Sequence, residues 1–362
     1  MLTRQQTSHV CDTNLFSPAY LIHHFPPPSE TQRFIERSRT EISEILSGAS
    51  DKLLIIVGPC SIHDTDAAIQ YANRLARIRA ELSDDLHIAM RVYFEKPRTC
   101  LGWKGFINDP DLDETYDVDG GLRRARQLLL EICSLHVSVA TEFLDTVGYQ
   151  YISDLVSWGA VGARTTESQV HREMASGLPC PIGFKNATNG DVKPAIDAIR
   201  ASRQPHRFVA VTAEGAYVRR ATQGNVHGHL VLRGGRVPNY DAHGVASACE
   251  QLAAHGLPAR VVVDASHGNS GKQHRNQLAV CDSLGSRISL GDTHVAGIMI
   301  ESNLVAGNQP IGPLAQLMYG QSITDACIGW DDTASLLGRL ANDVRARRRL
   351  YTPVEPPAAL AG

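Results

Sequence analysis

The sequence predicts one (β/α)8 barrel of the TIM type, enlarged by an N-terminal extension and by a β-hairpin inserted before helix six. Three observations predict it. Short β-branched runs alternate with helical stretches along most of the 362 residues, and that alternation builds a parallel sheet. There are about eight such units, enough for the sheet to close on itself. None of the runs is followed by GxGxxG, which disfavours an open, doubly wound, dinucleotide-binding sheet.

The elements follow in order. Residues 1–50 read as an amphipathic extension, broken at Pro26-Pro27-Pro28 and then helical from about Glu30 to Leu46. The catalytic barrel is expected over 51–350. Its strands are expected at 53–59, 88–94, 138–144, 160–164, 181–185, 207–211, 260–266 and 296–302. The regular spacing breaks twice. Residues 100–119 are a long loop, and 212–240 alternate (AYVRRATQG, GHLVLRGG) as a hairpin does. A last helical stretch carries Arg345, Arg347, Arg348 and Arg349, and 351–362 read as a flexible tail.

Composition removes several function classes. Lys plus Arg number 35 and Asp plus Glu 38, a net charge of −3, and hydrophobic residues make up 43%. That much apolar surface offsets chain entropy, so the bulk of the chain is not disordered. Without a basic excess there is no nucleic-acid footprint, and the arginines near the end read as cations at a helix C-terminus. No run approaches the roughly 18 apolar residues of a membrane span, and the N-terminus lacks the apolar core of a secretory signal. The eight cysteines are scattered without a CxxC pair. They are expected to be free thiols in a reducing cytoplasm.

The informative pattern is what stands at the strand ends, where a barrel enzyme keeps its catalytic groups. The expected strands stop on Cys60, Arg91 with Glu95, Lys96 and Arg98, Glu142, Arg164, Lys185, Asp264 with His267, and Glu301; Arg233 closes the inserted hairpin. Each has an ordinary explanation as a solvated cap or a small buried hydrophobe. Lys and Arg, however, are rarely buried unless paired. Several cations on one rim with few carboxylates call for anions, and a ligand with more than one anionic group supplies them. A second set, Cys60, His267, Glu301 and Asp325, mixes thiolate, imidazole and carboxylate. These come from strand ends that are neighbours in a closed barrel, so they can meet around a divalent transition metal. No short motif joins the four, and a buried cysteine beside a hydrogen-bonded histidine is the competing reading.

Long segments resemble the type I 3-deoxy-D-arabino-heptulosonate 7-phosphate (DAHP) synthases. The matching stretches are GPCSIHD (58–64), RVYFEKPRT (91–99), GWKGFINDP (102–110), ATEFLD (140–145), SWGAVGARTTESQVHREMASGL (157–178), PIGFKN (181–186), GHLVLRGG (228–235), DASHGNSGKQ (264–273), GIMIESNL (297–304) and YGQSITDACIGW (319–330). They run in family order from about residue 15 to 349. The resemblance implies condensation of phosphoenolpyruvate with erythrose 4-phosphate, the entry to the shikimate pathway. It implies one divalent metal per subunit (Mn, Fe, Co or Zn) on Cys60, His267, Glu301 and Asp325. It implies phosphoenolpyruvate on Arg91, Lys96, Arg164, Lys185 and Arg233, and the sugar phosphate on Pro97, Arg98 and Thr99. Lys96, Glu142, His267 and Asp325 are the implied catalytic groups, with Glu142 a candidate for activating the attacking water.

The family is commonly inhibited by one aromatic amino acid. Here the corresponding region departs from the usual pattern: Tyr149 stands where proline is usual, next to Gln150, and Pro179 where serine is frequent. Asp145, Tyr149, Gln150 and Pro179 are the candidate effector-pocket residues, present in outline and altered in detail. The extension and the insertion point to a homodimer or homotetramer. The related synthase for arabinose 5-phosphate is disfavoured by KPRT (96–99) and by the long extension. A silent regulatory partner is disfavoured by the intact site residues, and a redox or metal-storage role by the scatter of the cysteines.

Overall fold

The computed structural model describes residues 12–351; the expected tail, apart from Tyr351, lies outside them. Local sequence sets the helix ends. The Ser17 hydroxyl accepts from Tyr20 N at the start of α1 (Pro18–His24), with proline in the first turn, where no N–H is missed. After the proline break, α2 (Ser29–Ser47) ends at Gly48, whose φ of 87° makes a left-handed cap. Asp64 caps α3 (Thr65–Leu82), between β1 (Leu53–Gly58) and β2 (Leu86–Arg91). Asp117 caps α4 (Val118–Ser134), which leads to β3 (Ser138–Glu142) and β4 (Trp158–Val161). Then come α5 (Gln169–Ala175), β5 (Ile182–Lys185), α6 (Lys193–Ser202), β6 (Arg207–Val211), β7 (Tyr217–Ala221) and β8 (His229–Leu232). The chain finishes with α7 (Ala242–Ala254), β9 (Val261–Asp264), α8 (Asn276–Ser289), β10 (Val295–Glu301) and α9 (Trp330–Tyr351).

Eight parallel strands close in the order β1-β2-β3-β4-β5-β8-β9-β10, as the alternation predicts. One strand differs from the expectation. RFVAV at 207–211 is not in the barrel: β6 pairs antiparallel with β7, Phe208 opposite Arg220. The sixth barrel strand is β8, taken from the segment expected to be half of the hairpin. A hairpin does precede the sixth barrel helix, but it lies before the strand rather than after it. Burial gives the reason. Every residue of β8 is buried, as a barrel strand requires, whereas β6 and β7 alternate exposed and half-buried.

The barrel strands present a period of two to the axis. On β2 the inward residues are His87, Ala89 and Arg91; on β3 they are Ser138, Ala140 and Glu142. At one end His87 Nδ1 meets Glu41 of α2 at 2.9 Å, and Ser138 Oγ donates to Ser38 Oγ at 3.0 Å, so α2 plugs the barrel. The middle is apolar: Ile42 and Ile45 of α2 join Leu54, Ile56, Ala89, Ala140, Trp158, Ala160, Val231 and Met299 in one buried cluster. Trp158 fits because its neighbours are small. A Cβ at Gly183 would overlap the indole. Its Nε1 donates to Nε2 of His229 at 3.0 Å, and burial, the main cause, pushes His229 down to about 4, so the ring stays neutral and accepts. Above this floor the inward residues become ionic.

Candidate active site

Continuing the period of two upward takes β2 from Arg91 to Tyr93, β3 to Glu142, β5 to Lys185, β9 to Asp264 and β10 to Glu301. All stand at C-terminal strand ends. All of them but Asp264, which lies buried beneath, line a cavity of about 820 Å³. Arg91, Lys96, Pro97, Arg98, Glu142, Arg164, Lys185, Arg233, His267, Glu301 and Asp325 all line it. Thr99 is exposed in the following loop and does not line it.

The charge pattern refines the expectation of a rim with few carboxylates. Arg91 and Lys185 are buried, but each is paired. Arg91 Nη2 donates to Glu301 Oε1 at 3.1 Å, and Lys185 Nζ to Asp264 Oδ2 at 3.0 Å. Arg164, expected to be covered, is exposed in the turn after β4, and its Nη1 donates to Pro97 O. A ligand is still called for, because the lining holds seven Lys and Arg against three carboxylates (Glu142, Glu301 and Asp325).

Cys60, Glu301 and Asp325 bring their ligand atoms within 4.8 Å of one another. Glu301 is fixed from behind, where Gln277 brackets its backbone at N (2.8 Å) and O (3.0 Å). At Gly58, φ is 151° and a Cβ would press on the Arg91 backbone, so β1 reaches Cys60 only through glycine. The Cys60 thiol is pushed up, first by burial and then by the Glu301 carboxylate, with Lys96 opposing. Lys96 Nζ donates to Cys60 O at 2.9 Å and lies 3.0 Å from Sγ. Burial works to strip the Lys96 proton, but Cys60 and Glu301 outweigh it and raise the group above its ordinary value. A metal fits this donor set: a soft sulfur and hard oxygens, beside an ammonium that stands in for part of the cation's charge.

His267 stands outside that tight group but lines the same cavity. Its φ of 55° is a strained left-handed conformation of the kind kept at functional turns. Nδ1 lies 2.9 Å from Asp264 Oδ2 and 2.7 Å from Ser266 Oγ, which leaves Nε2 as the free nitrogen. Burial opposes the charge on Asp264, but His267, Lys185 and Ser266 together hold its carboxyl well below the usual range. Sequence reasoning noted Asp264 without a role and missed Tyr93 and Gln277. The period of two from Arg91 would have found Tyr93.

The candidate effector residues gather elsewhere. Tyr149 and Gln150 line a cavity of about 160 Å³ shared with Met174, Phe208, Val211 and Tyr217. Arg220 of the hairpin donates to the Tyr149 hydroxyl at 2.6 Å. Asp145 does not line it, but its carboxylate accepts from Val147 N and Gly148 N and shapes the loop. Pro179 is exposed and also outside it. The extension reaches the same region: Ala19 N donates to Ala213 O at the hairpin turn, and the Tyr151 hydroxyl to Phe16 O.

Fold and site together define a (β/α)8-barrel enzyme with a polyanion cavity and a cluster able to hold a metal ion. Residues 30–338 match the DAHP synthetase I family, and the chain belongs to that family. It is 52% identical over 334 residues to a Phe-sensitive phospho-2-dehydro-3-deoxyheptonate aldolase of Escherichia coli, covering 92% of this chain and 95% of that one. It is 51% identical to the Trp-sensitive counterpart from the same species, covering 92% and 96%. A solved phospho-2-dehydro-3-deoxyheptonate aldolase from Francisella tularensis superposes with a TM-score of 0.91 at 46% identity, covering 93% and 99%.

Proposed function

We propose the following assignment of residues for DAHP synthase activity, the condensation of phosphoenolpyruvate with erythrose 4-phosphate that opens the shikimate pathway. The observation that carries it is the cavity's excess of cations beside the Cys60, Glu301 and Asp325 cluster. Phosphoenolpyruvate brings a phosphate and a carboxylate, and the sugar a second phosphate. Arg91, Lys96, Arg164, Lys185 and Arg233 bind phosphoenolpyruvate. Pro97 and Arg98, which line the cavity, bind the sugar phosphate together with Thr99 of the loop that follows. Holding two mutually repelling anions side by side is itself a large part of the catalysis.

Cys60, His267, Glu301 and Asp325 would hold one divalent metal per subunit, Mn, Fe, Co or Zn. When bound, such an ion supplies Lewis acidity towards the aldehyde oxygen of the sugar. Lys96, between the two subsites, delivers a proton to that oxygen as the methylene carbon of phosphoenolpyruvate attacks the carbonyl carbon. Glu142 takes a proton from the water that adds at C2, and phosphate departs with C–O cleavage. The test is phosphate release and DAHP formation from the two substrates, with and without added Mn²⁺. No turnover in metal-loaded protein overturns the assignment.

The extension, residues 1–50, and the hairpin serve regulation and assembly. Outward-facing Val209 and Tyr217 on the hairpin support a homodimer or homotetramer, checked by light scattering. The small cavity at Tyr149 is the effector site, narrowed by the Tyr149–Arg220 pair. Titrating phenylalanine, tyrosine and tryptophan against activity decides whether inhibition survives. Among the described residues no helix is long and apolar enough to cross a membrane.

A further inference from the structure

Two buried polar atoms at the cavity floor have no protein hydrogen-bond partner among the described residues: the Tyr93 hydroxyl and Glu142 Oε1. They are neighbours by construction. Arg91 of β2 stands opposite Ala140 of β3, and both strands continue two residues on the same face, which sets Tyr93 beside Glu142. Both side chains line the substrate cavity. An unpartnered donor and an unpartnered acceptor on adjacent strands are costly in a resting core, and such pairs persist where a bound state uses them. Glycine at 162 makes room for the carboxylate, since a Cβ there would overlap Oε1. The Tyr93 ring is held separately by the Arg91 guanidinium, 4.0 Å from its centroid.

We propose that Tyr93 is a positioning residue for the water-addition step. This rests on the activity assigned above. In the substrate-bound protein the Tyr93 hydroxyl donates to Glu142 Oε1 and turns Oε2 to the cavity as the proton acceptor. The electron pair of the enol double bond forms the new C–C bond to the aldehyde carbon. Water bonds to C2 of phosphoenolpyruvate and its proton passes to Glu142 Oε2. The C2–O bond to phosphate then breaks, phosphate keeps the electron pair, and the new C2 hydroxyl loses its proton to leave the ketone.

The test uses the full chain loaded with Mn²⁺. Tyr93→Phe keeps the ring under Arg91 and removes only the hydroxyl. The expected result is a loss of kcat of roughly 10- to 100-fold, as for a misplaced catalytic group, with the KM for phosphoenolpyruvate within about twofold. The melting temperature should hold or rise, because an unpartnered buried polar atom has gone. Glu142→Gln should lower kcat by about 100-fold or more. The double variant should fall no further than Glu142→Gln alone, since the two act as a unit. Parent-level kcat in Tyr93→Phe, or a double variant whose loss is the product of the single losses, overturns the proposal. Absence of turnover in the parent would instead overturn the assigned activity.

Discussion

Replacing Asp264 by asparagine tests the ionic floor of the barrel most directly. The side chain is buried and its Oδ2 lies 3.0 Å from Lys185 Nζ and 2.9 Å from His267 Nδ1. Asparagine keeps the shape and removes the charge, so a buried ammonium is left uncompensated. Breaking one side of such a pair costs about 3–5 kcal/mol. A ceiling comes from Lys185 itself. It can shed its proton, and doing so at pH 7 from an ordinary value near 10.4 costs about 1.4 kcal/mol per unit, or roughly 5 kcal/mol. The two figures agree, and at about 2–4 °C per kcal/mol the melting temperature should fall by about 6–20 °C. The pH dependence has a definite sign. Lys185 in the variant has a folded value below its unfolded one, so the unfolded chain binds more protons over that window. Variant stability therefore rises as pH climbs towards 10. Calorimetry at pH 7 and pH 9.5 reads both effects. A melting temperature within 1 °C of the parent at pH 7 refutes the pairing as a stabilising contact.

Other expectations follow from the same geometry. Cys60 is pushed up by burial and by Glu301, so the metal-free thiol is protonated at neutral pH. Metal binding should then release about one proton from it and tighten by about tenfold per pH unit below its titration. Titration calorimetry in two buffers of different ionisation enthalpy measures this, and no proton release would contradict it. Arg164→Ala should raise the KM for phosphoenolpyruvate or lower kcat by at least tenfold, about what one charge-assisted hydrogen bond is worth; an unchanged kcat/KM removes Arg164 from the site. Glu95 is raised from 4.5 to about 7, first by burial and then by Asp145 and Glu142. Its folded value lies above its unfolded one, so charging it costs stability progressively as pH rises from about 5 to 7. Glu95→Gln should stabilise the protein at pH 8 by about 1–3 kcal/mol and leave it unchanged at pH 4, read from denaturant midpoints.

The barrel was legible because parallel strands buried on both faces leave unbroken aliphatic runs, as in LLIIVG (53–58). The error over RFVAV has a definite source. β-branched content marks a strand but not its partner, and the surface hairpin is as β-prone as the barrel. Alternation was the better guide: Arg207 and Val209 face outward in β6, while HLVL of β8 faces nothing but protein. At the site, most of the residues singled out at strand ends line one cavity. Their pairing could not be read, because Lys185 and Asp264 lie 79 positions apart and meet only when the sheet closes. Tyr93 was hidden for a different reason: a tyrosine in an apolar run looks like core until its hydroxyl is seen to lack a partner.

The apolar middle of the barrel has a kinetic consequence. Trp158, packed among alanines and larger aliphatic side chains, makes an apolar, low-dielectric floor under a cavity lined by seven cations against three carboxylates. Field lines that cannot spread downward into a low-dielectric plug leave through the opening, where they draw in passing anions. The plug thus acts at a distance on the encounter rate. Capture of both phosphorylated substrates should slow as ionic strength rises and the screening length contracts towards 3 Å at about 1 M salt, even though no ion touches the tryptophan.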